Sequence, residues 1–473
     1  ALLENQYYRS GREQKTQLIS LADSCNPEFV AQLAIFLREE MHLRSVPMLL
    51  VATLIRRRSV TKDVVARVIQ RADEIKELVA AWLEVEELAG SARESLRPVP
   101  AAVRKGLAEA FNKFNAFQYR KYNKGAKEAI TFKDVLQLVH PEPRDAEMSD
   151  TFVRILDGAL EPVDTWETMY SACKSDMEKA AVWDTLLLEG KLPYMAALRN
   201  IRNMLEVKVQ VGTIDRWVKL ISDREAVRKS KQFPFRWLSA YRMLEQSKLH
   251  VPLTVFQSLE AALQASVDNI PAIERFREGR TLIACDSSGS MNNSLSEKST
   301  LKYSDVAYTL GSMLAHYAPN NVTVGVFGHT WQCVNLVQGG ILHNTENLRK
   351  TDVGCYTNGY LVAEWALTEN QSFDTIVFFT DCQMWNSVPY STGLLSTSMA
   401  NYWNRVNPNT KVYVFDLAGY GHSPVDLVHK NAFMISGWSD HIFRVLSDIE
   451  NGNLPFWERS KPGKEFEQCA REL

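Results

Sequence analysis

The chain has 473 residues, 45% of them apolar and 23% charged. That is ordinary globular composition, which excludes a disordered or collagen-like chain and predicts two or more domains. No stretch approaches the roughly 18–20 uncharged apolar residues of a membrane span. The net charge of −2 conceals an asymmetry: residues 1–280 hold 42 Lys and Arg against 38 Asp and Glu, the remainder 12 against 18. The excess is concentrated in residues 101–133, with eight basic and two acidic side chains, and in residues 199–242, with eleven and four. A basic half beside an acidic half points to a polyanion partner for the first.

The first ten residues carry no apolar signal core, although Ala1 in place of Met suggests trimming and leaves room for a lost presequence. The seven cysteines (Cys25, Cys173, Cys285, Cys333, Cys355, Cys382 and Cys469) are odd in number and lack C-x-x-C spacing. They argue against a zinc module or a disulfide scaffold and fit a reducing, cytoplasmic setting.

Up to about residue 270 the pattern is helix after helix. Asn26-Pro27-Glu28 is a helix start, followed by Phe29, Val30, Leu33, Phe36 and Leu37 at helical spacing. Ser45-Val46-Pro47 begins another helix, and Thr61 caps a third. The pattern continues over 100–114, 132–139 and 193–205, with short polar joins. Such a series is too long for one bundle and suits stacked pairs, about six at ~40–47 residues per HEAT-like pair. Arg199 and Arg202 share a face of one such helix opposite Leu198, Ile201 and Leu205, placed to clamp phosphates or to pair with neighbouring acids.

From about Arg280 the pattern changes. Apolar runs at 282–285, 322–327, 375–379 and 411–415 alternate with helical patterns at 303–317, 359–367 and 398–405. This predicts a parallel, doubly wound α/β sheet, with functional loops at the carboxyl ends of its strands. Asp286-Ser287-Ser288-Gly289-Ser290 follows the first run, Thr380-Asp381 follows the third, and Thr357 lies in a turn before a helix. The set Asp286, Ser288, Ser290, Thr357 and Asp381 is all oxygen and suits a hard divalent cation, Mg²⁺ above all. No serine-hydrolase elbow, phosphate-binding loop or paired-histidine motif is present. His329, next to Phe327-Gly328, is expected to be a surface or hydrogen-bonded histidine rather than a neighbour of the metal loop.

These residues resemble two known modules. The Asp286/Ser288/Ser290, Thr357, Asp381 set resembles the metal-ion-dependent adhesion site of von Willebrand factor A domains. The helical part resembles the TROVE module of Ro proteins at Pro47-Met48-Leu49, at Arg104-Lys105-Gly106-Leu107, over residues 132–141 and over residues 192–200. Together they look like a Ro protein of bacterial or phage type. One departure is the family's Gly-Gly-Thr-Asp turn, which reads Cys355-Tyr356-Thr357-Asn358 here.

The resemblance implies a multidomain α and α/β architecture, a ring of HEAT-like helical repeats closed by the A domain. It implies residues 1–278 for the TROVE module, 279–440 for the A domain and 441–473 for a C-terminal helical extension. It further implies a non-enzymatic protein that binds small noncoding Y RNA on a basic outer surface. Single-stranded 3′ ends of misfolded RNAs would enter a central cavity, with polynucleotide phosphorylase as a possible degradative partner. Carried over by position, Arg104, Lys105, Lys133 and His140 match stretches expected near RNA, and Arg120, Lys121 and Lys124 fall in a linker that aligns poorly. Lys113, Arg199 and Arg202 join the set on charge clustering. Tyr119, Tyr122, Phe233 and Trp237 lie among the basic residues as possible stacking partners for bases, although Phe235 and Trp237 favour a core position. Two competitors are an adaptor whose A-domain metal captures a partner's carboxylate and a metal-dependent hydrolase, the latter disfavoured because no base or nucleophile accompanies the ion set.

Overall fold

The computed structural model describes residues 10–90, 98–123, 129–161, 163, 165–270, 276–296, 299–384, 394–437, 443, 446 and 447. The 441–473 extension, apart from three of these positions, lies outside them, as do Lys124 and Cys469. The chain divides into two compact units with the break between Thr168 and Met169.

The first unit is helical: α1 (Gly11–Ser24), α2 (Pro27–Glu39), α3 (Ser45–Arg56), α4 (Lys62–Val68), α5 (Glu74–Leu88), α6 (Ala101–Phe111), α7 (Ala116–Tyr122), α8 (Phe132–Val139) and α9 (Ala146–Asp157). The boundary falls inside α10 (Trp166–Ala172). The caps are those the sequence announces. Asn26 accepts from the Glu28 N–H at 2.8 Å with Pro27 at the first helical position, and Thr61 accepts from Val64 at 3.4 Å. Helix α3 is buried from Pro47 to Ile55 and packs on α2 and α5, while α4 packs on α6. One hydrophobic core runs from Ile19 to Ile155. Inside it Arg38 meets Glu74 at 2.6 Å, and Glu74 also accepts the Gln70 and Arg71 N–H groups. Those extra bonds offset the cost of burying the ion pair.

The second unit begins with α11 (Asp176–Leu188), α12 (Tyr194–Glu206), α13 (Val211–Ser222), α14 (Arg224–Ser230), α15 (Phe235–Glu245) and α16 (Leu253–Asp268). The α/β part then follows: β1 (Thr281–Asp286), α17 (Tyr303–Tyr317), β2 (Val322–Phe327), β3 (Trp331–Cys333), α18 (Ile341–Lys350), α19 (Tyr360–Thr368), β4 (Thr375–Thr380), α20 (Leu395–Arg405), β5 (Lys411–Asp416) and β6 (Ala432–Ser436). The sheet order is β3-β2-β1-β4-β5-β6, parallel throughout except for the antiparallel edge strand β3. Strands β1, β4 and β5 are almost wholly buried, as a sheet covered on both faces requires.

The four predicted strands and the helices at 303–317, 359–367 and 398–405 are all present. The sequence reading missed β3, β6 and α18. The three residues of β3 are too few for periodicity to register. Helix α18 has no side-chain cap of its own: Glu260 of α16 accepts the Ile341 and Leu342 N–H groups at 2.8 and 2.9 Å. A cap delivered from a distant helix leaves no local sequence signal.

Candidate metal centre and nucleic-acid interface

The strand order reverses at β1, with β2 on one side and β4 on the other, so the carboxyl ends of β1 and β4 frame the switch point where such sheets bind ligands. In-register pairing of Cys285 with Phe379 brings Asp286 level with Thr380. The Thr380 hydroxyl donates to Asp286 Oδ2 at 2.6 Å, and the Ser288 N–H donates to Oδ1 at 2.7 Å. The Ser288 and Ser290 hydroxyls lie 3.2 Å apart, and Ser290 is hydrogen-bonded to Asp381. Asp381 also accepts the Gln383 N–H at 3.2 Å. Asp286, Ser288 and Asp381 are buried.

Thr357 is half-buried in the turn before α19. Two bonds lace that turn to the loop after β1. The Gly289 N–H donates to the Cys355 carbonyl at 3.3 Å, and Ser287 Oγ donates to the Gly354 carbonyl at 3.1 Å. Gly328 permits the approach, because a Cβ there would collide with the Gly354 carbonyl oxygen. Tyr356, which with Cys355 departs from the glycine pair of that turn, is exposed and lays its ring against His329 at 4.9 Å. His329 is exposed, as expected.

Burial, with the Asp381 charge adding to it, pushes the Asp286 carboxyl up to about 7, and burial raises Asp381 as well. Two buried carboxyls that resist ionisation, ringed by hydroxyls, form a site short of positive charge, and the oxygen-only donors fit a hard divalent cation. Among the described residues no group of three or more His, Cys, Asp or Glu gathers as a metal cluster. An ion here therefore depends on the serine and threonine hydroxyls to complete its shell.

Sequence reading gave no role to three residues that shape this edge. Thr380 orients Asp286. Asn358, buried, donates through Nδ2 to the His329 carbonyl at 3.2 Å and ties the Thr357 turn to the β2–β3 turn. Asp416 ends β5 opposite Thr380, accepts the Gly419 and Gly421 N–H groups at 2.9 and 2.7 Å, and is pushed up to about 6 by burial. An acid closing an apolar strand was the available signal for Asp416, the same one that marked Asp286.

The basic residues fall in both units. In the first, Arg104 and Lys105 on α6 and Lys133 on α8 are exposed. His140 is exposed too, ending α8 in the left-handed region at φ 48°. None of these four forms an ion pair with another described residue. Lys113 is engaged: its ammonium donates to the Ala66 and Ile69 carbonyls at the end of α4, and burial lowers its pKa. Arg120 donates to the Glu161 carbonyl at 2.9 Å. Lys121 is exposed, its ammonium 5.7 Å from the Tyr122 ring. In the second unit Arg199 and Arg202 are exposed on one face of α12 with Leu198 and Ile201 buried behind them. Arg202 pairs with Glu206 at 2.8 Å.

The aromatic expectations divide. Phe235 and Trp237 are core residues, as expected. Tyr119 is not a stacking platform. It is fully buried between Phe111 and Phe132, and its hydroxyl donates to the Phe111 carbonyl at 2.6 Å, because α7 turns that face inward. Tyr122 and Phe233 are half-buried, and the Arg71 guanidinium lies over the Tyr122 ring at 4.8 Å.

Stacked helices joined to a mainly parallel sheet with a D-x-S-x-S loop at its switch point define a helical-repeat protein carrying an A-type domain. The TROVE domain family matches residues 4–175 and 158–266, and the Ro60 von Willebrand factor A domain matches residues 280–449. The chain belongs to the TROVE-domain family of Ro proteins. It is 22% identical to the RNA-binding protein RO60 of Caenorhabditis elegans over 299 residues, 59% of this chain and 43% of that protein. It is 21% identical to the telomerase protein component 1 of Rattus norvegicus over 331 residues, 52% of this chain and 12% of that protein. The chain thus spans less than half the length of these curated relatives. The crystal structure of the Deinococcus radiodurans Ro protein shares the fold, with a TM-score of 0.57 and 17% identity over 95% of this chain and 94% of that one.

Proposed function

We propose that this protein is a non-enzymatic RNA-binding protein of RNA quality control. It holds small noncoding Y RNA on the basic helices of its first unit. It takes the single-stranded 3′ ends of misfolded RNAs into a central cavity, the arrangement the family resemblance implies. It acts in the cytoplasm, with polynucleotide phosphorylase as a degradative partner. No described helix is long and apolar enough to cross a membrane. The observation that carries the reading is the exposure of Arg104, Lys105, Lys133 and His140, without acidic partners among the described residues, on helices of a TROVE module. The named function of the Caenorhabditis elegans relative supports it. Replacing the four with Ala and measuring affinity for a small stem-and-internal-loop RNA tests it. The expected loss is several-fold to a few orders of magnitude, steepest at low salt, and an unchanged affinity overturns it.

The A domain holds one Mg²⁺ through Asp286, Ser288, Ser290, Thr357 and Asp381, where the ion supplies an electrophilic position for an acidic group. The buried Asp286, Ser288 and Asp381, with half-buried Ser290 and Thr357, make a charge-poor oxygen set that supports this assignment. It also supports the second reading, an adaptor that captures a partner's carboxylate. Asp286→Ala separates the two: RNA affinity survives it under the first, and partner capture collapses under the second.

A further inference from the structure

A cleft of about 440 Å³ opens in the second unit, away from the metal loop's own residues. Its walls come from the last turn of α12 (Arg202, Glu206), the last turn of α15 (Met243), the segment just after it (Gln246, Lys248, Leu249) and, across from them, Thr300 in the loop before α17. The volume is at the lower end of small-ligand pockets, which run roughly 300–1,000 Å³, and admits a single planar ring system with its sugar but no base-paired strand. Its chemistry is mixed in a particular way. Two cations face one acid, and that acid is already spent on Arg202 at 2.8 Å, through Nε alone. Met243 and Leu249 supply an apolar surface, and the exposed Gln246 amide can both donate and accept. The segment after α15 is set in place: Ser247 Oγ donates to the Leu244 carbonyl at 2.7 Å and accepts the Leu249 N–H at 3.4 Å.

We propose that this cleft seats one unpaired nucleotide of a bound RNA, an inference that rests on the RNA-binding reading above. Arg202 and Lys248 take the phosphate, Met243 and Leu249 take a face of the base, and Gln246 meets its edge. Arg199, one turn before Arg202 on the same exposed face, extends the phosphate track away from the cleft. The cleft reads an unpaired strand, because a duplex hides base faces and edges from a recess of this size.

The test uses the full chain and two labelled RNAs, a blunt-ended duplex and the same duplex with a short unpaired 3′ tail, followed by fluorescence anisotropy. Gln246 and Lys248 are exposed, so Gln246→Ala/Lys248→Ala leaves the fold intact, which circular dichroism verifies. The expected result is a loss of roughly 5- to 30-fold for the tailed RNA, with the blunt duplex changed by less than about twofold. Equal losses on both RNAs, or no loss on the tailed one, overturn the nucleotide seat while leaving RNA binding in place. Failure of the parent chain to bind either RNA overturns the RNA-binding reading itself.

Discussion

Arg242 of α15 reaches into the α/β part and meets Asp305, in the first turn of α17, at 3.2 Å. The arginine is 2% exposed and also contacts Glu245 at 2.7 Å and Glu346 of α18 at 3.1 Å. A helix of the repeat region thus neutralises acids of the A domain. Replacing Arg242 with Ala leaves Asp305 buried without its counter-charge, and chemical denaturation of the variant is expected to show a loss of about 3–5 kcal/mol. A loss under about 1 kcal/mol, the range of exposed ion pairs, would mean that the cluster contributes little.

Glu260 makes the same connection through the backbone, since its carboxylate accepts the first two N–H groups of α18. Glu260→Ala should cost roughly 1–2 kcal/mol, as a lost N-cap does. It follows that a chain beginning at residue 279 lacks both Arg242 and Glu260 and should melt well below one beginning at residue 169. Differential scanning fluorimetry compares them directly, and equal midpoints would refute the dependence.

Mg²⁺ should raise the melting temperature, and by more at alkaline than at acid pH. Asp286 at about 7 and Asp416 at about 6 are both raised by burial above the ordinary carboxyl value. A raised carboxyl stabilises the folded state fully below about pH 4 and loses that contribution as pH climbs through its folded value. Without a cation, stability therefore declines between about pH 4 and 7. With one, the positive charge replaces the protons at Asp286, and acid displaces the ion. Melting scans with and without Mg²⁺ on either side of this window measure the difference, and Asp286→Asn should abolish it. A gain that is independent of pH would place the ion elsewhere.

The salt dependence of RNA binding should also respond to the first unit's basic residues. Each phosphate contact contributes about 0.7–0.9 to the slope of log affinity against log salt. Removing Arg104, Lys105 and Lys133 together should flatten that slope by roughly 2–3. Removing Lys113, which is spent on the Ala66 and Ile69 carbonyls, should instead lower stability with little change in slope.

What the sequence discloses here follows from where the determining contacts lie. Asn26-Pro27 and Thr61 act on their own helices, so α2 and α4 were readable. The buried strands β1, β2, β4 and β5 are apolar runs, and all five residues of the oxygen set follow such runs or sit in a turn, so their place at one edge of the sheet was readable too. Helix α18 was not, because its cap is Glu260. The burial of Tyr119 was not, because position among lysines says nothing about which side of α7 faces Phe111 and Phe132. The engagement of Lys113 by carbonyls more than forty residues away was equally hidden. Charge counts locate basic segments, whereas only packing decides which of their side chains remain available.

The most direct test is ultraviolet crosslinking of the full chain to total cellular RNA, followed by sequencing of what is recovered. The prediction is strong enrichment of a defined small RNA with a stem and internal loop, together with structured RNAs bearing unpaired 3′ ends. That enrichment should fall when Arg104, Lys105, Lys133 and His140 are replaced. Recovery that merely follows RNA abundance, or that is the same for the variant, would contradict it.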